Sequence, residues 1–265
     1  MIFGKEYTEY WNAAVSKSID GTIIAGVREA LHLLDYLNVE KNRRALDLGC
    51  SVGRMYEVIS LYSELVHGVD PDKFAVEKAS LYPYESVIQG TAERIDFGDN
   101  LFDLVFCWAV FDVVDHLKGF TEINRVLKRG GQLIITGKND YYFEDDKLAH
   151  LAESNAYLKR FPNRFTNLKS VLSNFRELGF ELDKLIIFPR RGDFGLLKFV
   201  DQGNQILDSY QAYEYLIYCH KIDQTNMASL NDVNLESPFS QTAINKAAQL
   251  KFSTPELFFE STKIA

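Results

Sequence analysis

Residues 44–54 read RALDLGCSVGR: a short apolar run ending in an acid, then two glycines four apart, then polar residues that open a helix. A turn of this kind after a buried strand lets backbone approach a ligand. The amides at the start of the following helix favour a carboxylate or phosphate. Working outward, short apolar runs recur at 65–69, 86–89, 104–108, 132–136, 182–188 and 213–222. Helical patterns fall between most of them, at 22–37, 72–81, 120–128 and 167–178. Strands that are apolar throughout, separated by helices, predict parallel βαβ units covered on both faces. The expected fold is α/β, with a doubly wound, mostly parallel sheet. Gly130-Gly131 is expected to cap the helix over 120–128.

The chain has 265 residues, 46% hydrophobic and 25% charged, with a formal net charge of −8. The length suits one domain. The expected organisation is a single domain over 1–265 with a core of about 20–223. A polar, aromatic insertion over 139–165 (it begins NDYYFEDDKLAHL) is long enough to form a lid, and 224–265 reads as an extension. The acidic balance disfavours a phosphate backbone as partner, so no nucleic acid is expected. No apolar run is long enough to span a membrane. Three cysteines without metal-ligand spacing predict no disulfide framework and no metal site; a cytoplasmic setting is expected.

The glycine stretch fits neither familiar phosphate template. Ser51 stands where a dinucleotide fingerprint wants its middle glycine, and Arg54-Met55 follow Gly53 where a P-loop wants Lys-Ser/Thr. Asp47 belongs to neither template and suits an ammonium. Asp70 closes the next strand (VHGVD, 66–70), where a carboxylate can accept both ribose hydroxyls. An acid for an ammonium, a glycine turn for a carboxylate and an acid for a ribose together describe an amino acid joined to a nucleoside.

Four ordered stretches carry a family resemblance: LDLGCSVGR (46–54), GVDPD (68–72), GTAERIDFGDNLFDLVFCWAVFDVVDH (90–116) and EINRVLKRGGQLIITG (122–137). In this order they resemble the class I S-adenosylmethionine-dependent methyltransferases, small-molecule type. The resemblance covers about residues 40–140, extends more weakly to the strand pair near 182–188 and 213–222, and implies a Rossmann-like, doubly wound, seven-stranded, mostly parallel α/β sheet with one antiparallel strand. It implies S-adenosylmethionine as cofactor, with S-adenosylhomocysteine as product. It also implies that Asp47, Gly49 and Cys107 hold the methionine end, with Cys50, Ser51 and Gly53 completing the turn. Asp70 is implied for the ribose, Pro71, Ala92 and Glu93 for the adenine, and Tyr7 and Trp11 for a segment folded over the cofactor. Thr91 replaces an Asp common before the Ala-Glu pair, and Val113 replaces a catalytic His found after the fourth strand.

Beside the fourth strand, His116 and Asp112 are the candidate general bases for a hydroxyl or amine acceptor. Tyr141 and Tyr142 of the insertion are candidates to roof the acceptor. Arg190 and Arg191, past the sixth strand, are candidates to read an anionic group on it. The expected activity is methyl transfer to an O or N atom of a small molecule, such as a sugar, lipid or secondary-metabolite intermediate. A cofactor-binding regulatory partner without turnover is the alternative, and a nicotinamide oxidoreductase a third.

Overall fold

A computed structural model describes residues 26–222, 227–230 and 232–264. In chain order the core elements are α1 (Val27–Leu37), β1 (Asn42–Leu48), α2 (Tyr56–Ile59), β2 (Ser63–Asp70), α3 (Lys73–Ala79), β3 (Ser86–Gln89), β4 (Phe102–Cys107), α4 (His116–Val126) and β5 (Leu127–Lys138). There follow α5 (Lys147–Leu158), β6 (Phe165–Thr166), α6 (Leu168–Ser173), β7 (Phe180–Phe188), β8 (Val200–Gly203), β9 (Glu214–Lys221), β10 (Glu236–Ser237), α7 (Gln241–Gln249) and α8 (Pro255–Ser261).

Eight strands form one sheet in the order β3-β2-β1-β4-β5-β9-β7-β8. The pairings from β3 through β5 are parallel. β9 runs antiparallel between β5 and β7. The seven expected strands are all present, and β8 adds an eighth, antiparallel to β7 at the edge. Strand order reverses between β1 and β4, so the carboxyl ends of β1, β2 and β4 frame the crevice where open α/β sheets bind ligands.

Both faces are sealed. On one, Ala30, Leu33, Leu34 and Leu37 of α1, at helical spacing, pack with Val58 and Ile59 onto Ala45, Leu104, Phe106 and Ile134. On the other, Phe120, Ile123 and Val126 of α4 and Leu168, Val171 and Leu172 of α6 pack onto Leu46, Val105, Leu133 and Leu185. Each buried aliphatic or aromatic side chain contributes about 1.5–3 kcal/mol of transfer free energy. Side-chain caps set several helix starts: Asp72, Asp115, Asp146, Asn167 and Ser240 each accept an amide three residues on.

Gly130-Gly131 does not cap α4. The helix stops at Val126, and Leu127 already pairs with Phe102 of β4. The glycines instead bend β5 between that pairing and Gln132, with Gly130 at φ +76°. The insertion and extension pack on each other rather than standing alone. β10 pairs with β6, Thr242 caps the Tyr142 amide at 2.8 Å, and Tyr157 of α5 stacks on Phe259 of α8.

Candidate active site

The turn after β1 is held from below by β2. Gly49 and Cys50 both donate their amides to the Val69 carbonyl, and Ser51 donates its amide to Asp70 Oδ2 at 2.9 Å. The backbone alternates into the left-handed region at Gly49 (φ +80°), Ser51 (+48°) and Gly53 (+84°). Glycine is required at 49 for a second reason: a Cβ there would sit 2.3 Å from Val110 Cγ2. Val110 belongs to the exit from β4, where Ala109 takes φ +56° and donates its amide to Thr136 Oγ1 at 2.8 Å. Two strand exits are thus pressed together across the crevice.

Asp70 organises this end of β2. Its Oδ1 accepts the Asp72 amide at 2.9 Å while Oδ2 holds Ser51. Burial raises its carboxyl to about 6 against the pull of these two amides. Each carboxylate oxygen keeps acceptor capacity beyond one bond, so the group can hold the turn and still receive hydroxyl donors. Asp47 is buried in the floor, and its Oδ2 accepts the Tyr84 hydroxyl at 2.6 Å. Burial, with the Asp70 charge adding to it, pushes Asp47 up to about 7, while the Tyr84 bond and Arg54 act the other way. Such an acid is stabilised by an added positive charge.

Tyr84 belongs to an aromatic group that sequence reasoning missed. Its ring meets Tyr56 edge-on at 4.8 Å, and Tyr82 and Tyr84 press against Gly53. The run LYPYE (81–85) between α3 and β3 carries the signal, two aromatics in a connection. Across the crevice, Ala92 is buried, and Glu93 accepts the Asp115 amide at 3.0 Å through Oε1. Pro71 offers its carbonyl to Gln89 at 2.9 Å. Cys107 is fully buried at the end of β4. The structure therefore gathers Asp47, Gly49, Cys50, Ser51, Gly53, Asp70 and Pro71 at adjoining strand ends. Tyr7 and Trp11 lie outside the described residues.

Beyond β4 and β5 lies a second polar group. Asp112, in a single 3-10 turn (Phe111–Val113), pairs with Lys138 at 2.7 Å. Despite its burial, which acts to raise it, the Lys138 charge and hydrogen bond hold the Asp112 carboxyl below its ordinary range. Glu214 stands opposite Lys138 in the β5–β9 ladder. Burial raises its carboxyl to about 7, while Arg191 and Lys138 draw it down. Sequence reasoning passed over Glu214, because only the pairing of β9 beside β5 brings it to Lys138.

His116 is not exposed at the crevice. It is fully buried, Nδ1 lies 2.5 Å from Glu236 Oε2 and 2.9 Å from the Val114 carbonyl, and Nε2 meets Thr166 Oγ1 at 2.7 Å. Thr166 in turn meets the Tyr215 hydroxyl at 2.7 Å, and Glu236 accepts the His116 amide at 2.7 Å. These partners suit a neutral ring that donates from Nδ1 and accepts at Nε2. Burial lowers its conjugate acid to about 4. The general-base expectation for His116 is corrected: the ring ties α4 to β6 and β10 and meets no solvent.

Tyr142 is likewise fully buried, its ring edge-on to Tyr213 at 5.3 Å, so it packs the insertion rather than roofing an open pocket. Tyr141 is half-buried and its carbonyl accepts the Ala212 amide. Arg190 is committed to a two-point fork on Asp145 at 2.9 and 3.2 Å. Arg191 lies against the Tyr213 ring and hydroxyl, the latter at 3.1 Å, and its charge acts on Glu214. The two arginines thus have different surroundings, and only Arg191 adjoins the Lys138–Glu214 group.

Part of the chain matches known methyltransferases in sequence, and its fold matches solved structures. The methyltransferase domain family matches residues 46–135. A Bacillus subtilis protein named as an uncharacterized methyltransferase, YcgJ, is 34% identical over 110 residues. That match spans 39% of this chain and 42% of the relative. A Thermotoga maritima structure, titled an S-adenosylmethionine-dependent methyltransferase and possible histamine N-methyltransferase, superposes with a TM-score of 0.59 at 20% identity, covering 82% of this chain and 98% of that one. The [4+2]-cyclase SpnF superposes with a TM-score of 0.55 at 15% identity, over 83% of this chain and 95% of that one. These two structural likenesses bear on the fold alone. No helix among the described residues is long and apolar enough to cross a membrane. Residues 46–135 thus match the methyltransferase domain family, and the chain spans about half or less of the length of the first curated relatives it matches.

Proposed function

We propose that the protein transfers a methyl group from S-adenosylmethionine to an O or N atom of a small-molecule acceptor. The observation that carries this reading is the convergence of Asp47, the 49–53 turn and Asp70 on one crevice edge. Asp47 suits the cofactor's ammonium, the turn its carboxylate, and Asp70 its ribose hydroxyls. Cys107 ends β4 and suits the sulfonium side; Pro71 follows β2, Ala92 and Glu93 follow β3, and they suit the adenine. When bound, S-adenosylmethionine supplies a methyl group made electrophilic by the sulfonium.

The chain's own contribution is positioning, with effective molarities worth up to about 7–11 kcal/mol, and removal of a proton where the acceptor carries one. We assign that proton to Glu214, whose carboxyl near 7 is matched to neutral pH. Lys138 holds Asp112 as an anion beside it. Arg191 is the cation best placed for an acidic group on the acceptor; Arg190 serves Asp145. We read the chain as one domain whose insertion and extension wall the acceptor side. Its three free, buried cysteines support a cytoplasmic setting.

The test is transfer of labelled methyl from S-adenosylmethionine into host extract divided into small-molecule and macromolecular fractions. Label in the small-molecule fraction supports the proposal. Label confined to macromolecules, or none in either fraction, overturns it.

A further inference from the structure

We propose a binding site for a small alkylammonium ion in the cavity between α5 and the C-terminal extension. The cavity measures about 140 Å³ and is lined by Glu153, Tyr157, Phe161, Phe165, Phe239 and Phe259, among others. Two independent features point to a cation. The first is the rings. Tyr157 and Phe239 both stack on Phe259, at 5.1 and 5.7 Å with interplanar angles of 22°. Phe161 and Phe165 complete the wall, and aromatic faces carry the negative lobe of the ring quadrupole.

The second is Glu153. This side chain is 3% exposed and lies in the cavity wall. The carboxyl accepts the Ser240 hydroxyl at 3.2 Å through Oε2 and is also hydrogen-bonded by Tyr142, but its Oε1 has no hydrogen-bond partner among the described residues. A buried carboxyl oxygen without a donor is destabilising, and natural cores seldom keep one without a use. A neutral apolar guest would leave Oε1 unsatisfied, and an anion would be repelled by both rings and carboxylate. A protonated alkylamine answers both features: its N–H pairs with Oε1 and its methyl groups lie on the rings. A cavity near 150 Å³ takes benzene, so trimethylammonium is of suitable size. The cavity is lined by none of the residues of the Asp47–Asp70 crevice.

The experiment titrates trimethylammonium chloride into the full chain labelled on phenylalanine, followed by ring resonances, with sodium chloride at matched ionic strength as reference. It is run about one unit above the value near 7 to which burial raises Glu153; Lys138 and Asp146 are the charged groups that act on it, with Tyr142 and Ser240 beside it. The expected result is saturable shifts, with tert-butanol, a neutral molecule of like size, binding at least about tenfold more weakly. Glu153→Gln, which keeps the hydrogen bond to Ser240, is expected to lose a similar factor. Non-saturating shifts, equal binding of the neutral probe, or full affinity in a folded Glu153→Gln variant would overturn the proposal. The neutral probe needs no substitution, so that comparison stands even where a variant fails to fold.

Discussion

Replacing Gly49 by alanine is expected to destabilise the protein by about 2–5 kcal/mol. Two terms make up this figure. Position 49 has φ +80°, and holding a side chain in the left-handed region costs roughly 1–2 kcal/mol. The new Cβ would also fall 2.3 Å from Val110 Cγ2 and 2.9 Å from its Cγ1, so Val110 must move, at an overpacking cost of about 1–3 kcal/mol. The terms are separable. Val110→Ala in the same chain removes the two closest contacts, leaving the Val110 Cβ at 3.1 Å and the conformational term. Urea unfolding of the two single variants and the double variant forms the cycle, and a favourable coupling of about 1–3 kcal/mol is expected between the sites. A loss below about 1 kcal/mol for Gly49→Ala, or no coupling to Val110, would refute the claim that the β1 and β4 exits are pressed together at this glycine.

Four further outcomes follow. Asp47 has a folded-state value near 7 against an ordinary 3.8, so its ionised form opposes folding, and the stability it lends at low pH is lost as pH rises from about 4 to 7. Asp47→Asn should therefore unfold at higher temperature than the parent at pH 8, by about 1–4 kcal/mol of stability, and match it near pH 4; equal differences at both pH values would contradict this. Glu214→Gln should lower kcat by roughly 10²–10⁴-fold and remove the rise in rate through pH 7; an unchanged pH profile excludes Glu214 as the base. His116→Asn should lower Tm through loss of its buried hydrogen bonds while the pH profile keeps its midpoint, and a shifted midpoint would restore His116 to proton transfer. Arg191→Ala should raise acceptor KM more than Arg190→Ala does, since Asp145 already holds Arg190; the reverse order would contradict the assignment.

Much of the fold is legible because the core strands are apolar on both faces and their helices carry apolar residues at helical spacing. What escapes is physically explicable. β8 is short, half exposed and bears Asp201 at its edge, so it reads as loop until β7 is beside it. α5 is inverted: Leu148 and Leu151 face outward while Glu153 is buried, which hides its amphipathic pattern. The α8 start does show in the sequence, as Pro255 at the first turn. At the site, the residues proposed for the cofactor come together as the sequence expects because they lie in contiguous motifs at strand ends. His116 misleads because its partners Thr166 and Glu236 lie 50 and 120 residues away. Glu214 is silent for the same reason: its environment is made by a register across β5 and β9 that no local spacing encodes.

The central claim is that one crevice edge, built by Asp47, the 49–53 turn and Asp70, holds an adenosine joined to an amino acid. Calorimetric titration of S-adenosylhomocysteine into the full chain and into Asp70→Ala tests it directly. The account predicts binding to the parent and a loss of about 1.5–3 kcal/mol, roughly 10–150-fold, in the variant. Equal affinity for the two chains, or a parent that binds NAD but not S-adenosylhomocysteine, would contradict it.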